Sequence, residues 1–258
     1  MNAWPPFKVI AMTNTALSLE SLRSYVSEVK SGRLNPNHMP EDFSLLCQAV
    51  ILDDSESART LLECGADINM VDISGYSPLM HAQTREWIEF LVNKGASIEL
   101  HNPITGYTPL HEAAYFGKPD AIRALIEFGA DMYSQCDVLH GQPQRSIAFS
   151  PPFTALKLAP PVLWSVFNAF QEKGYDFNGK DGDYTMLHAC VFNANFPAAK
   201  WVIDNGYDAK FKDGNGMTAL DYLDYLLTER KEWMFIGYDH STQEIMRMLL
   251  EGNFSKDM

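Results

Sequence analysis

The sequence has few cysteines and no long apolar run, and each shortage excludes a class of protein. Only four cysteines occur in 258 residues, and none forms a Cys-x-x-Cys pair. Their spacing gives no support for a zinc site and favours reduced thiols in a cytosolic protein. No apolar run approaches the roughly 18–20 residues of a membrane helix. The first twenty residues also lack the basic start of a secretory signal. We therefore expect a cytoplasmic chain without a membrane partner.

Basic side chains are scarce as well. The chain has 20 lysines and arginines against 33 aspartates and glutamates, a net charge of −13. Residues 34–137 alone hold 5 basic and 16 acidic side chains, a net charge of −11. Such a field repels phosphate backbones and speeds encounter with a basic protein, so we expect no nucleic-acid partner. Solubility is the alternative explanation of the acidity.

Catalytic motifs are missing too. The sequence has no G-x-S-x-G, no phosphate-binding glycine loop and no H-E-x-x-H. The aspartates of KDGDYT (180–185) and KDGNGMT (212–218) are spaced as in a calcium loop, but the remaining acidic positions are absent. The neighbouring Gly and Asn residues favour ordinary turns there. We expect no enzyme activity, no cofactor, no metal and no small-molecule substrate.

What the chain does have is an internal repeat. Five segments share two apolar residues, a polar pair or near-pair, a helix-ending glycine and a polar turn: LLECGADIN (61–69), LVNKGASIE (91–99), LIEFGADMY (125–133), FQEKGYDFN (170–178) and VIDNGYDAK (202–210). Each is preceded by a segment of the type TPLHEAA (108–114). There, Ser or Thr can cap a helix, Pro fits its first turn, and small alanines allow close packing.

The run GYTPLHEAAYFGKPDAIRALIEFGAD (106–131) resembles an ankyrin repeat, and six repeat-like units begin near residues 41, 73, 104, 152, 181 and 214. The resemblance implies an all-α ankyrin-repeat solenoid of stacked helix-turn-helix units with projecting finger loops. We expect residues 1–40 to form an N-terminal helical cap and residues 41–258 to form the array. An insertion is expected at 137–153, and a C-terminal capping unit at 214–258.

Three units depart from the pattern. The sixth carries about a dozen extra residues around TERKEWMFIGYDH (228–240). The unit at 73–100 lacks about three residues between its helices. In the fourth unit, Pro160 and Pro161 should shorten or kink the first helix, which we expect to be capped by Thr154. This alignment places Lys157 at the position of His111.

We expect the histidines of the repeat to have structural roles and not catalytic or metal-binding ones. The resemblance implies that His111 and His188 bond backbone groups and tie neighbouring units together. They lie two units apart, about 20 Å for helix layers of ~8–10 Å, too far to share a metal ion. His81 lies one residue out of phase and should point elsewhere.

The resemblance also implies where a partner binds: at the finger loops and on the exposed side of each first helix. The expected partner-binding residues are Tyr76, Glu99, Tyr107, Tyr115, Phe116, Asp131, Asp137, Arg145, Phe149, Tyr184 and Phe192. Aromatic residues beside acidic ones suit a basic protein. The alternative is that the 137–153 finger folds back over Tyr115 and Phe116.

Two functions fit this surface. The first is an immunity or antitoxin-type inhibitor, monomeric when free, that neutralises a basic toxin. The second is a scaffold or adaptor, or a secreted effector that recruits a host protein.

Overall fold

The computed structural model describes residues 17–137, 148–179, 184–229 and 240–252. Helices in these ranges form two layers. The first helices of the units are α2 (Leu45–Ile51), α4 (Pro78–His81), α6 (Pro109–Tyr115), α8 (Pro151–Thr154), α10 (Met186–Phe192) and α12 (Ala219–Glu229). The second layer holds α1 (Leu19–Lys30), α3 (Ser55–Glu63), α5 (Arg85–Asn93), α7 (Pro119–Glu127), α9 (Val162–Glu172), α11 (Phe196–Asp204) and α13 (His240–Leu250).

The helix starts follow the sequence signals. The Ser44 hydroxyl accepts a hydrogen bond from the Cys47 N–H at 3.1 Å, and Ser77 and Thr108 cap α4 and α6 in the same way. Pro78 and Pro109 occupy the first helical position, where no donor is needed. The predicted shortening of the 73–100 unit is confirmed, because α4 is a single four-residue turn.

The fourth unit corrects the expected register. Its first helix begins at Pro151 after the N-cap Ser150, and Thr154 lies inside it. One turn of 3-10 helix (Ala155–Lys157) then ends the segment before Pro160 and Pro161. Thr154 is therefore not a cap: its hydroxyl donates to the Pro151 carbonyl at 2.7 Å. Phe153, and not Lys157, takes the position that corresponds to His111.

A short hairpin accompanies this unit. Strand β1 (Cys136–Asp137) pairs antiparallel with β2 (Ala148–Phe149), so that Cys136 lies opposite Phe149. These residues stand at the two ends of the predicted finger. Arg145 lies outside the described residues, as do residues 180–183 and most of the predicted insertion near 228–240.

The core lies between the two layers. Leu110, Ile122 and Leu125 are buried, and Ala114 and Ala121 are fully buried where α6 meets α7. Burying each large aliphatic side chain contributes roughly 1.5–3 kcal/mol. Nowhere in the described ranges is a helix both long and apolar enough to cross a membrane.

Side-chain oxygens join each unit to the next at the loop that follows the second helix. Asn37 accepts from the Asp67 N–H at 2.7 Å, and Asn69 accepts from the Ser97 N–H at 2.8 Å. Glu99 continues the series, since its carboxylate accepts from the Asp131 N–H at 2.8 Å. The predicted partner-binding residue Glu99 therefore has a structural contact inside the stack.

Candidate protein-binding surface

The aromatic residues before the helix caps are less exposed than expected. Tyr107 is only 3% exposed: its ring stacks on His111 with centroids 5.5 Å apart and also contacts Tyr115. This corrects the expectation that Tyr107 projects from a finger. Tyr76 and Tyr184 are half-buried in comparable places, against His81 and His188 respectively. A large ring at this position fills the space between a finger and the helix beside it.

The ends of the first helices do expose apolar side chains. Ile51 and Phe192 occupy equivalent positions, seven residues after their caps, and are 38% and 39% exposed. In the third unit the equivalent residue is Tyr115, which is half-buried, and the next residue, Phe116, is 47% exposed. We name Ile51, Phe116 and Phe192 the helix-end row.

The cover over Tyr115 comes from the fourth unit. The Lys157 amine lies over the Tyr115 ring and 5.6 Å from the centroid of Phe116. Val162 and Leu158 pack closely against Gly117 on the same side. Among the described residues, a lysine at a helix end thus covers Tyr115, and residues 138–147 of the predicted finger lie outside the described ranges.

Two exposed apolar residues were not predicted from the sequence. Ile73 and Ile104 are 52% and 60% exposed in the turns of successive finger loops. Each comes two residues before the glycine of its turn, in DISGY (72–76) and NPITGY (102–107). An isoleucine at a turn is an uncommon choice, and that was the available signal.

The acidic residues divide into buried and exposed sets. Asp131, a predicted partner-binding residue, is exposed, and so is Asp67. Asp72 is only 4% exposed and accepts N–H bonds from Ser74 and Tyr76 at 2.9 Å. Asp213 is likewise buried and holds a turn. The structure describes the backbone but not the side chain of Asp137 and Phe149.

The histidine prediction is confirmed for His188, and the contact of the His111 ring with a neighbouring unit stays a prediction. His111 and His188 are fully buried, and their Nδ1 atoms lie 2.8 Å and 2.7 Å from the hydroxyls of Thr108 and Thr185. His188 Nε2 lies 3.1 Å from the Met217 carbonyl of the next unit. Burial lowers the pKa of His188, so the neutral form is favoured in this structural role.

One buried carboxyl group has no such support. Glu112 on α6 is 1% exposed, and neither of its carboxylate oxygens makes a hydrogen bond of good geometry within the described residues, although the side chains of Thr105 and Tyr76 approach it. Burial raises its pKa to about 8, although the nearby charge of Lys157 opposes the shift. A shifted acid of this kind can mark a catalytic site, although structural positions shift pKa values as well.

These features define a helical repeat protein with an exposed apolar row. Residues 46–136 match the family model described as ankyrin repeats (3 copies). The chain carries ankyrin repeats, and its described residues fold as an ankyrin-repeat solenoid. The predicted family and fold class are confirmed.

Three similar proteins place the chain among its relatives. It is 33% identical over 102 residues to the tyrosine-protein kinase HTK16 of Hydra vulgaris, a match covering 37% of this chain but only 13% of the kinase. The human ASB11 ankyrin repeat domain superposes with a TM-score of 0.59 at 20% identity, covering 91% of this chain and 99% of that one.

The third is a chain in the structure of the predatory endopeptidase Bd0816 of Bdellovibrio bacteriovorus in complex with immunity protein Bd3460. It superposes with a TM-score of 0.54 at 21% identity, covering 81% of this chain and 97% of that one. At these identities the two structures establish the fold alone. Ankyrin repeats bind protein partners, and the fold is generally non-enzymatic.

Proposed function

We propose that the chain binds and neutralises a basic protein, as an immunity or antitoxin-type inhibitor. The observation that carries the proposal is the helix-end row. Ile51, Phe116 and Phe192 are large apolar side chains left 38–47% exposed at the ends of the first helices of three units. Exposed apolar side chains at the centre of a polar surface are typical of protein interfaces, and aromatic anchors dominate binding energy.

The partner's charge is inferred from the acidic surplus. Residues 34–137 have a net charge of −11. Several of their basic side chains are engaged in ion pairs between second helices: Arg85 with Glu127, and Arg123 with Glu172 at 2.7 Å. The exposed carboxylates therefore face solvent with little local compensation, which favours a positively charged partner.

The solved endopeptidase–immunity protein complex supports the inhibitor interpretation, because one of its chains shares this fold. The four free cysteines suit a reducing compartment, and we place the chain in the cytoplasm. The proposed inhibitor is monomeric when free. Neutralising requires that the partner be harmful alone, which a binding measurement does not address.

The test begins with capture of the partner from the source organism at two salt concentrations, followed by co-expression. The expected partner is basic, dissociates more readily as salt rises, and inhibits growth unless this chain is co-expressed. Capture of unrelated neutral proteins that do no harm would favour a scaffold or adaptor instead.

Variants then locate the surface on the identified partner. Phe116→Ala with Phe192→Ala should weaken binding by about 2 kcal/mol or more. Met248→Ala is the matched control, since Met248 is 37% exposed on α13, outside the row. Equal affinity of the double variant and the wild type would remove the helix-end row from the interface.

A further inference from the structure

We propose that Cys47, Asp72 and His81 form a binding site for a zinc ion between the first and second units. Cys47 comes from α2, Asp72 from the root of the next finger, and His81 from the end of α4. The thiol sulfur, a carboxylate oxygen and an imidazole nitrogen all lie within 4.8 Å of one another. Zinc is ordinarily bound by these three kinds of ligand atom.

The ligand atoms already lie close to the spacing that a zinc ion requires. His81 Nε2 is 2.8 Å from Asp72 Oδ2. Zinc ligands lie about 2.0–2.3 Å from the ion, which sets tetrahedral ligand atoms roughly 3.3–3.8 Å apart. The imidazole and carboxylate would therefore separate by somewhat less than an ångström, and the Cys47 thiol would release its proton to solvent.

The ligands are already oriented by their surroundings. Asp72 Oδ1 accepts the N–H groups of Ser74 and Tyr76, so Oδ2 is the oxygen turned toward His81. The His81 ring lies against Phe43 and Tyr76, with centroids 5.8 Å and 5.4 Å apart. Hydrogen bonds and packing of this kind fix ligand geometry around metals.

Water has access from one side only. The His81 side chain is 11% exposed, whereas that of Asp72 is fully buried and Cys47 is buried. Three protein ligands leave a fourth tetrahedral position, which a water molecule can fill from the solvent side of His81.

The same positions elsewhere lack this combination, so the set is not a by-product of the repeat. With helix positions counted from the caps, and the finger root taken as the residue whose side-chain oxygen accepts the N–H two residues further on, the equivalent trios are Met80, Asn102 and Glu112 at one interface, and His188, Asp213 and Tyr222 at another. A thioether, an amide or a phenol replaces at least one ligand in each. Within the described residues, Cys47, Asp72 and His81 are the three such groups that come together.

The test uses tag-free chain, reduced and stripped of metal with a chelator, and titrates it with Co²⁺ and Zn²⁺. One Co²⁺ per chain should bind and give a thiolate-to-cobalt charge-transfer band, which Zn²⁺ then displaces. Cys47→Ser should abolish the band and weaken Zn²⁺ binding at least tenfold. Cys64→Ser, at an exposed cysteine away from the site, should leave both unchanged.

A second variant protects the test against misfolding. His81→Gln alters the most exposed of the three side chains, and circular dichroism before metal addition checks that it is folded. It should bind Zn²⁺ at least tenfold more weakly. Absence of stoichiometric binding to the folded wild type, or an unchanged cobalt spectrum in Cys47→Ser, would overturn the proposal. Neither result depends on the partner proposed above.

Discussion

His81 in the second unit and Glu112 in the third occupy the same place, four residues after a helix cap, yet their surroundings differ. His81 Nε2 lies 2.8 Å from the Asp72 carboxylate. Glu112 is 1% exposed and makes no hydrogen bond of good geometry within the described residues. The polar side chain at this position therefore stabilises the second unit, whereas its burial in the third unit costs free energy of folding.

The residue at the finger root accounts for the difference. Asp72 has one carboxylate oxygen left over for His81 after its Oδ1 accepts two backbone N–H groups. In the next unit the root is Asn102, whose Oδ1 accepts from Ile104 and Thr105 and whose amide donates to the Ser74 carbonyl. A repeat fold thus fixes where a side chain stands, and a single neighbouring substitution decides whether its polar atoms are satisfied.

The largest effect should come from removing the root of the second finger. Asp72→Ala leaves the Ser74 and Tyr76 N–H groups and the His81 ring without their acceptor. We expect a loss of about 2–4 kcal/mol in the free energy of unfolding, measured by urea denaturation. Glu89→Ala, at an exposed position on α5, is the control and should stay within about 0.5 kcal/mol. A small loss for Asp72→Ala would mean that water replaces the carboxylate.

The next effect has the opposite sign, because Glu112→Gln removes a buried charge. The folded pKa of about 8 lies above the ordinary 4.5, so the folded chain holds this proton more tightly than the unfolded one. The associated stability is complete below pH 4.5 and is lost as pH rises through 8. Near pH 8 we expect Glu112→Gln to be more stable than the wild type by about 1–3 kcal/mol.

The difference between variant and wild type should be recorded from pH 5 to 8, so that the titrating groups that do not interact with Glu112 cancel. Partial desolvation lowers the pKa of Lys157 to about 8, which raises stability with pH only above that value and lies outside this window. The groups whose charges act on Glu112 are Lys157 and Asp72. A difference that does not grow with pH would show that Glu112 is ionised without penalty.

The repeat was predictable from sequence, whereas burial depth was not. Glycines in phase and the TPLHEAA type of segment define the units, because they reflect helix ends that any ankyrin repeat needs. Tyr107 was misjudged because the alignment gives its place in the repeat but not the neighbouring ring that covers it. In the fourth unit, both Ser150 and Thr154 are residue types that cap helices. Pro151 favours Ser150 as the cap, because proline fits the first turn of the helix that follows it.

Contacts between units were the least predictable feature. Cys47, Asp72 and His81 come from three separate elements with no metal-binding spacing in the chain. Nothing in the sequence around Glu112 indicates that its carboxyl group is buried. In both cases the polar contacts of the side chain depend on which residue the adjacent unit places beside it. A repeat pattern describes what the units share and does not contain that information.

The smallest effect should separate the surface of the third unit from its interior. Phe116→Ala removes a ring that is 47% exposed, so its free energy of unfolding should change by less than about 0.5 kcal/mol. Tyr115→Ala should cost more, roughly 1–2 kcal/mol, because its half-buried ring contacts Tyr107, Phe116 and Lys157. Thermal and urea unfolding of the two single variants gives the comparison. Equal losses would mean that Phe116 is packed as tightly as Tyr115, and the helix-end row would then belong to the fold rather than to a partner.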